Sequence, residues 1–386
     1  MHYQSLAALI FWLSGGVLFY TFAGYPLFIA ALARWRARPL SSPRELAPQP
    51  RVCVVLVAHN EQQVIAERLE NLLASAYPPE KIRVLLVSDG SIDSTIAKAE
   101  ALGDPRIEIV ARTERGGKAA GLNLAISRRD EEIIVLTDAR QRFTPDAIAH
   151  LVAHFSDPAI GAVSGALEIS AATSATGSGV DSYWRYERFL RAAESRIDSC
   201  IGCTGAIYAL RRALFTPVPD DTVLDDVVIP MQIAIKGARI IHDPAARAFD
   251  PQPLEPTTEQ QRKQRTIAGN FQMLFRYPAW LLPWRNRLWW QLLSHKYLRL
   301  AAPIFLVTAF VANIVLNTRF FYQTTLAVQV LFYTVGTLGF LPGCRRLPIA
   351  ALPAGFVFLN AMTFRGLHQF LTRRHRTGWN PTLPSP

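Results

Sequence analysis

The chain begins and ends in apolar segments that carry no Asp, Glu, Lys or Arg. The first lies between Met1 and Arg34, and three more cover Leu300–Thr318, Phe320–Cys344 and Leu347–Phe364. About 17–25 apolar residues suffice for a membrane-crossing helix. The first run lacks the basic start and short apolar core of a signal peptide, which favours a membrane span within residues 1–37. The three later runs predict membrane helices within residues 300–371.

Basic residues set the expected orientation of these spans. Arg34, Arg36, Arg38 and Arg44 follow the first span, so the positive-inside rule predicts an outer N-terminus and a cytoplasmic middle. Three crossings after the middle would place the basic tail, residues 372–386, outside. The number of C-terminal crossings therefore stays open, and a cytoplasmic C-terminus is favoured. We expect a multi-pass protein of the cell membrane.

Residues 277–299 mix aromatic and basic side chains before the first C-terminal run. They hold four of the eight tryptophans and four cations: Trp280, Trp284, Trp289, Trp290, Arg285, Arg287, Lys296 and Arg299. This mixture is typical of a helix lying among lipid headgroups. The alternative is an amphipathic helix packed on a soluble domain.

Apolar and polar positions between the membrane segments alternate in a strand–helix pattern. After a linker over residues 38–50, the predicted strands are Val52–Ala58, Arg83–Val87, Ile107–Val110 and Ile133–Thr137, and the predicted helices are Gln62–Ala76, Ser91–Leu102 and Lys118–Ser127. The first strand is a continuous apolar run, as in strands buried on both faces. The pattern predicts an α/β domain, residues 51–276, with a mostly parallel sheet.

Polar residues follow all four predicted strands. They are Ala58-His59-Asn60-Glu61, Ser88-Asp89-Gly90-Ser91, Arg115-Gly116-Gly117-Lys118 and Thr137-Asp138-Ala139-Arg140. Ligands of open α/β sheets bind at the carboxyl ends of the strands, so these groups predict one shared binding site. Taken singly, Asn60 or Ser91 would cap a helix and Asp89 would stabilise a turn.

Two other nucleotide-binding folds are excluded because the chain lacks the sequence motifs that they require. The first strand is not followed by Gly-x-Gly-x-x-Gly, as a dinucleotide fold requires. A P-loop would need glycine at Arg112 and a hydroxyl at Ala119, although Gly117-Lys118 matches its end.

Composition and charge favour a membrane protein over a nucleic-acid binder. Half of the residues are hydrophobic, 18% are charged, and the mean hydropathy is +0.15. The net charge of +11 suits nucleic acid, and equally an anionic membrane with a nucleotide diphosphate as ligand. The apolar segments favour the second interpretation, without nucleic acid. Cys200 and Cys203 have metal-ligand spacing but no second pair, so reduced cysteines are expected.

The motifs resemble those of inverting family 2 glycosyltransferases with the GT-A fold, especially the membrane-bound branch near cellulose, hyaluronan and poly-N-acetylglucosamine synthases. The resemblance runs from about Val52 to Asn270 and includes the flanking spans. It implies that His59, Asn60, Glu61, Asp89 and Lys118 contact the nucleotide sugar. It also places Asp138 at the first Asp of the family's Asp-x-Asp metal motif, which implies Mg²⁺ or Mn²⁺.

The acceptor side follows from two further elements of the resemblance. Leu224-Asp225-Asp226 resembles the Thr-Glu-Asp element, which makes Asp226 the general base at the start of a helix over Val227–Lys236. The alternative for Asp225 is a helix cap. Acceptor-site positions implied by the family are Gly202, Cys203, Thr204, Gly205, Asp225 and, on a helix over Tyr183–Ile197, Trp184.

Two departures from the family pattern change what is expected. Arg140 replaces the second metal Asp, which implies weak metal binding or direct neutralisation of the diphosphate by Arg140. The Gln-x-x-Arg-Trp element of processive synthases is reduced here to Arg265-Thr266, with Gln261 one place off. Arg265 can still meet the diphosphate. The missing tryptophan argues against processive polymerisation more than against transfer.

Three functional interpretations remain. The first is inverting transfer from a nucleotide sugar, with a UDP-sugar expected, to a growing polysaccharide. The second is transfer of one sugar to a lipid or short glycan. The third is an inactive binding or assembly subunit. The expected partners are a nucleotide-sugar donor, a glycan or lipid-linked acceptor, membrane lipids and an export or assembly partner.

Overall fold

A computed structural model describes residues 2–38, 49–169, 175–250, 256–341 and 348–372. Most of the predicted linker 38–50 and nearly all of the basic tail lie outside these residues. The chain divides into two compact units. Within the described residues, a helical unit comprises 2–35, 175–190, 256–341 and 348–372, and a sheet unit comprises 36–38, 49–169 and 191–250. This division differs from the predicted 51–276 domain, because 175–190 and 256–276 belong to the helical unit.

The sheet unit is built on eight strands. They are β1 Val52–Ala58, β2 Ile82–Asp89, β3 Ile107–Arg112, β4 Ile133–Thr137, β5 Arg142–Phe143, β6 Ile160–Ile169, β7 Ile207–Arg211 and β8 Arg239–Asp250. Their order is β3-β2-β1-β4-β7-β6-β8-β5. The pairs β3-β2, β2-β1, β1-β4 and β6-β8 are parallel, and β7 and β5 run antiparallel to their neighbours.

Helices connect the strands of the sheet unit and make up the helical unit. Along the described residues the α-helices are α1 His2–Phe19, α2 Tyr25–Trp35, α3 Ile65–Leu73, α4 Thr95–Glu100, α5 Lys118–Ser127, α6 Ala147–Ala153, α7 Ala175–Ile197, α8 Asp225–Ile235, α9 Pro256–Arg276, α10 Trp289–Leu292, α11 Leu298–Val315, α12 Phe320–Leu338 and α13 Pro348–Leu371. The mostly parallel α/β architecture predicted from the strand–helix alternation is confirmed.

The core of the sheet unit explains why the apolar runs form its central strands. All seven residues of β1 and all five of β4 are buried, as expected for strands covered on both faces. Ile65, Leu69 and Leu72 of α3 join the same core at helical spacing. The carboxyl ends of β1, β2 and β4 therefore meet at one edge of the sheet, where their polar loops begin.

Three helical segments are long and apolar enough to cross a membrane: Tyr3–Trp35, Trp289–Val315 and Ile349–Leu371. They overlap the first, second and fourth charge-free runs. The third run forms α12, which falls short of this hydropathy because Gln323 and Gln329 interrupt it. Within the described residues, two C-terminal segments are thus long and apolar enough to cross a membrane.

The expected headgroup helix over Tyr277–Leu300 is not one helix. A short 3₁₀ turn covers Pro278–Leu281, and helical structure resumes only at Trp289. From Trp289 the chain continues through a π-helical turn, Leu293–Tyr297, into α11. Proline at residues 278 and 283 interrupts the segment, because proline lacks the N–H that a helix interior requires. The prediction of a single helix was wrong.

Candidate functional site

Lys118 connects two acidic residues at the carboxyl edge of the sheet. It is the first residue of α5, whereas Asp138 directly follows β4 and Asp225 begins α8. The Lys118 Nζ lies 2.8 Å from Asp138 Oδ1 and 3.4 Å from Asp225 Oδ2. Burial disfavours the charged ammonium, but Asp138 and Asp225 outweigh that effect and raise the pKa of Lys118 above its ordinary value. Lys118 is therefore a fixed positive charge within an acidic cluster.

Asp89 holds the loop that leads into Lys118. Its carboxylate accepts hydrogen bonds from the backbone N–H groups of Gly116 (2.9 Å) and Gly117 (2.8 Å) and pairs with Arg112 at 2.8 Å. Gly117 has a φ of +89°, which an L side chain rarely adopts. The predicted turn-stabilising role of Asp89 is thus present. Its predicted contact with the nucleotide stays a prediction.

The loops after β1 and β2 are bonded to each other. Asn60 donates its backbone N–H to Ser91 Oγ (3.1 Å) and accepts the N–H of Ile92 on its side-chain oxygen (2.9 Å). His59 Nδ1 lies 2.8 Å from the carbonyl oxygen of Asp89. Asn60 and Ser91 are not helix caps, because α3 begins after Val64 and α4 after Ser94. The alternative that treated them as caps was wrong.

Glu61 is a buried carboxyl at the same edge. It is 4% exposed, and its Oε1 has no hydrogen-bond partner. Burial raises its pKa to about 7, against the opposing attraction of Arg140 and with the help of repulsion from Asp138. Glu61, Asp138 and Arg140 therefore influence one another, as their positions after β1 and β4 predict.

The raised pKa of Glu61 predicts a pH-dependent stability. The folded state binds more protons than the unfolded state between about pH 4.5 and 7, so the free energy of unfolding falls as the pH rises through that window. We expect Glu61→Gln to remove this fall. The Tm of the variant should therefore rise relative to that of wild type by a few degrees between pH 5 and pH 8. Thermal unfolding in detergent measures it, with exposed Glu70→Gln as control. A Tm difference that stays constant over this range would contradict the prediction.

The loop containing Gly202, Cys203, Thr204 and Gly205 packs against the start of α8. The Cys203 N–H donates to the carbonyl oxygen of Asp226 at 2.7 Å, and Gly202 has a φ of +77°. Asp226 lies in the first turn of α8, where the helix dipole stabilises a carboxylate, and its side chain is partly exposed. The structure thus brings the predicted acceptor loop and the predicted base together.

Gly205 lies close to the Asp226 carboxylate and leaves no room for a larger residue. A Cβ at Gly205 would lie 3.0 Å from Asp226 Oδ2 and 3.3 Å from its Cγ, tighter than ordinary contacts. We expect Gly205→Ala to displace the carboxylate of Asp226, the predicted general base, and to lower kcat about 10- to 100-fold, because a general base tolerates little misplacement. Steady-state kinetics with Gly15→Ala as control tests this, since Gly15 has open space around its missing Cβ. Unchanged kcat in Gly205→Ala would contradict it.

Two predicted site residues lie in the helical unit. Trp184 is on α7, but its side chain is outside the part of the structure that is described. Arg265 is on α9 and is half-buried. Their predicted roles stay predictions.

Arg68 and Tyr208 contact or face the cluster, although neither was predicted from the sequence. Arg68 of α3 is fully buried and donates to the carbonyl oxygen of Asp138 at 3.3 Å. The signal was an arginine on the apolar stripe between Ile65 and Leu69. Tyr208 of β7 is buried with its hydroxyl unbonded, and burial together with Asp225 raises its pKa. No local pattern distinguishes this tyrosine from a core residue.

The expected Mg²⁺ or Mn²⁺ can be compared with the oxygen ligands present. Among the described residues there is no group of three or more His, Cys, Asp and Glu side chains placed to hold a metal ion. Glu61 Oε1 and Asp225 Oδ2 are nevertheless buried carboxylate oxygens without hydrogen-bond partners. Asp138 raises the pKa of Glu61 by repulsion, and the Lys118 ammonium lies within 3.4 Å of both Asp138 and Asp225. Carboxylate oxygens are the ligands that hard divalent cations prefer, so the donor set suits such an ion in company with substrate oxygens.

Comparisons with known proteins agree with this geometry. Residues 53–216 match the sequence profile of the family described as Glycosyl transferase family 2. Residues 53–216 are therefore similar in sequence to family 2 glycosyltransferase domains. The resemblance stated from the motifs is therefore confirmed, and the matched residues include the loops after β1, β2 and β4 and the Gly202–Gly205 loop.

A solved structure supports the GT-A fold of the glycosyltransferase domain and its flanking helices. The mannosyltransferase PcManGT from Pyrobaculum calidifontis, solved with GDP-Man and Mn²⁺, superposes with a TM-score of 0.70 over 96% of this chain and 99% of its own, at 24% identity.

Curated relatives match over shorter regions. A beta-monoglucosyldiacylglycerol synthase from Synechocystis sp. is 29% identical over 163 residues, 40% of this chain and 34% of its own length. An N-acetylglucosaminyltransferase from Rhizobium meliloti is 29% identical over 202 residues, 48% of this chain and 46% of its own. The chain thus spans less than half the length of these relatives.

Proposed function

We propose that this protein transfers a sugar from a nucleotide sugar, with inversion, to an acceptor presented at a membrane. The observation that carries the proposal is the cluster of Lys118, Asp138 and Asp225 at the sheet edge, with Asp226 next to it on α8. It combines a fixed cation for a diphosphate with a separate carboxylate for an acceptor hydroxyl.

The donor side follows from charge and helix geometry. Lys118 begins α5, and helix N-termini attract anions such as phosphates. Arg140 supplies a second cation, whose positive charge acts to lower the pKa of Glu61. A divalent cation held at Asp138 would neutralise the diphosphate leaving group when bound. Together, these groups stabilise the negative charge that develops as the sugar–phosphate bond breaks.

The acceptor side follows from Asp226. The Asp226 carboxylate is partly exposed and lies in the first turn of α8, where the helix dipole favours negative charge, so it can remove the proton of an acceptor hydroxyl. Gly202 and Gly205 of the neighbouring loop let its backbone approach Val227 and Asp226 closely, which supports a fixed position for this carboxylate. Attack from the side opposite the diphosphate inverts the sugar carbon.

The nature of the acceptor is the second part of the proposal. The three apolar segments and the name of the Synechocystis relative support a lipid acceptor that receives one sugar. Transfer to a growing polysaccharide, the first expectation from sequence, stays a prediction, as do a cytoplasmic catalytic domain and an export or assembly partner. The name of the Rhizobium relative suits either a short glycan or a longer product.

One experiment tests donor, acceptor and product together. The full chain is purified in detergent and supplied with UDP- and GDP-sugars, with diacylglycerol or short glycans as acceptors, with Mn²⁺ or a chelator. Release of nucleoside diphosphate and the size of the labelled product are measured. We expect a product larger than its acceptor by one sugar. A ladder of products would favour the polysaccharide interpretation, and no release with any donor would overturn the proposed activity.

A further inference from the structure

Arg68 is a fully buried cation beneath the proposed donor site. It lies on α3 between the core residues Ile65 and Leu69, where helical periodicity calls for an apolar side chain. Its guanidinium stacks on the ring of Phe143, 4.4 Å from the ring centre. Burying a charge is costly unless it is compensated.

The compensation of this charge comes from neutral groups. Arg68 donates to Asn71 Oδ1 at 2.5 Å, to Thr137 Oγ1 at 2.6 Å and to the carbonyl oxygen of Asp138 at 3.3 Å. Burial and repulsion by Arg142 lower its pKa to about 9, which leaves the guanidinium charged at neutral pH. None of these three acceptors carries a charge, so the positive charge is not neutralised by a bonded carboxylate.

The same guanidinium joins the two sides of the site. The Thr137 hydroxyl that accepts from Arg68 donates to the carbonyl oxygen of Ala206 at 2.7 Å. Ala206 follows Gly205, where an added Cβ would lie 3.0 Å from Asp226 Oδ2. Arg68 is thus bonded directly to the Asp138 turn and through Thr137 to the acceptor loop.

A purely structural role would not require a charge at this position. Replacing a buried ionic group by an apolar residue of similar volume is often neutral or stabilising. The charge of the guanidinium is better explained by the adjacent donor site. Arg68 is bonded to the Asp138 turn, and Lys118 and Arg140 lie at the same site.

We propose that Arg68 is a positioning residue of the donor site, which fixes the Asp138 turn and adds positive potential for the diphosphate of the donor. This rests on the proposed glycosyltransferase function. The potential reaches a diphosphate more strongly than a monophosphate, because the interaction scales with ligand charge. The inference therefore predicts a selective loss of diphosphate affinity when the charge is removed.

Arg211 provides a matched control. It stacks on the Phe155 ring at 5.3 Å and donates to the backbone carbonyl oxygens of Ile160, Phe155 and Asp157. It pairs with Ile133 at the amino end of β4, opposite to the Thr137 end. Arg211→Met therefore removes a similar stacked guanidinium away from the donor site.

The experiment measures calorimetric Kd values of UDP and UMP, or of GDP and GMP if wild type prefers guanine, for the full chain in detergent with chelator. For Arg68→Met we expect the ratio of monophosphate Kd to diphosphate Kd to fall about fivefold, the size of one added charge at about 10 Å after screening. Arg68→Lys should restore most of this ratio, and Arg211→Met should leave it unchanged.

The outcomes separate the inference from the function on which it rests. An equal loss of both ligands in Arg68→Met, or no loss, would overturn the role of the charge while wild-type binding still supports the function. No diphosphate binding by wild type would overturn both. If Arg68→Met does not fold, Arg68→Gln gives the same comparison, because it keeps hydrogen-bonding capacity without charge.

Discussion

Asp226→Asn is expected to lower kcat for sugar transfer by about 10²- to 10⁴-fold, the usual contribution of a general base. The Kd of the nucleotide sugar should change little, because Asp226 acts on the acceptor whereas Lys118 and Asp138 belong to the proposed donor side. Transfer kinetics and calorimetric donor binding measure the two effects separately.

Asp146→Asn is a suitable control for this variant. Asp146 directly precedes α6, so the change also removes one carboxylate from a helix N-terminus. We expect normal transfer in the control. If Asp226→Asn lost donor binding and transfer to the same extent, Asp226 would be a structural residue. If cellular glycan output were unchanged, an inactive assembly subunit would be the better interpretation.

Lys118→Met is expected to weaken nucleoside diphosphate binding by about 100-fold and to lower the Tm. The change removes a cation that lies within 3.4 Å of two carboxylates, one of them buried, and leaves those carboxylates to repel each other. Removing one partner of a buried ion pair costs about 3–5 kcal/mol. Calorimetry with UDP or GDP and thermal unfolding measure the two losses.

Lys236→Met controls for the loss of a bonded lysine. The Lys236 Nζ donates to the Leu214 carbonyl oxygen and to Thr216 Oγ1, but it is exposed at the end of α8 and contacts neither Asp138 nor Asp225. We expect this variant to bind diphosphate like wild type. Wild-type affinity in Lys118→Met would show that Lys118 is not the diphosphate cation.

Local patterns predicted most of the strands and helices that carry the donor loops. The predicted bounds of β1, β4 and α5 coincide with those observed. These segments are apolar runs or amphipathic stretches ended by polar or glycine residues, so short-range periodicity contains the information. The segment over 277–299 failed because its tryptophans and cations suggested a surface helix while its prolines and turns were given too little weight.

The site was predictable where its residues lie at the end of a strand or in the segment that follows one. His59, Asp89, Lys118 and Asp138 were found in this way, because the ends of parallel strands meet at one edge. The use of Asp89 to hold the Gly116–Gly117 backbone was not predictable, since a carboxylate gives no local sign of the partner it binds. The Thr137–Ala206 bond joins residues that are 69 positions apart, and no local pattern marks either of them as a partner of the other.

The sequence by itself determined the apolar segments, the α/β order and the acidic and basic groups at the strand ends, because those features depend on periodicity and residue type. Only the tertiary structure decided that Lys118 lies between Asp138 and Asp225, that Gly205 limits the Asp226 carboxylate, and that Arg68 lies beneath the site. These are contacts between distant parts of the chain. Their distances depend on how the strands and helices pack, and no local pattern records that packing.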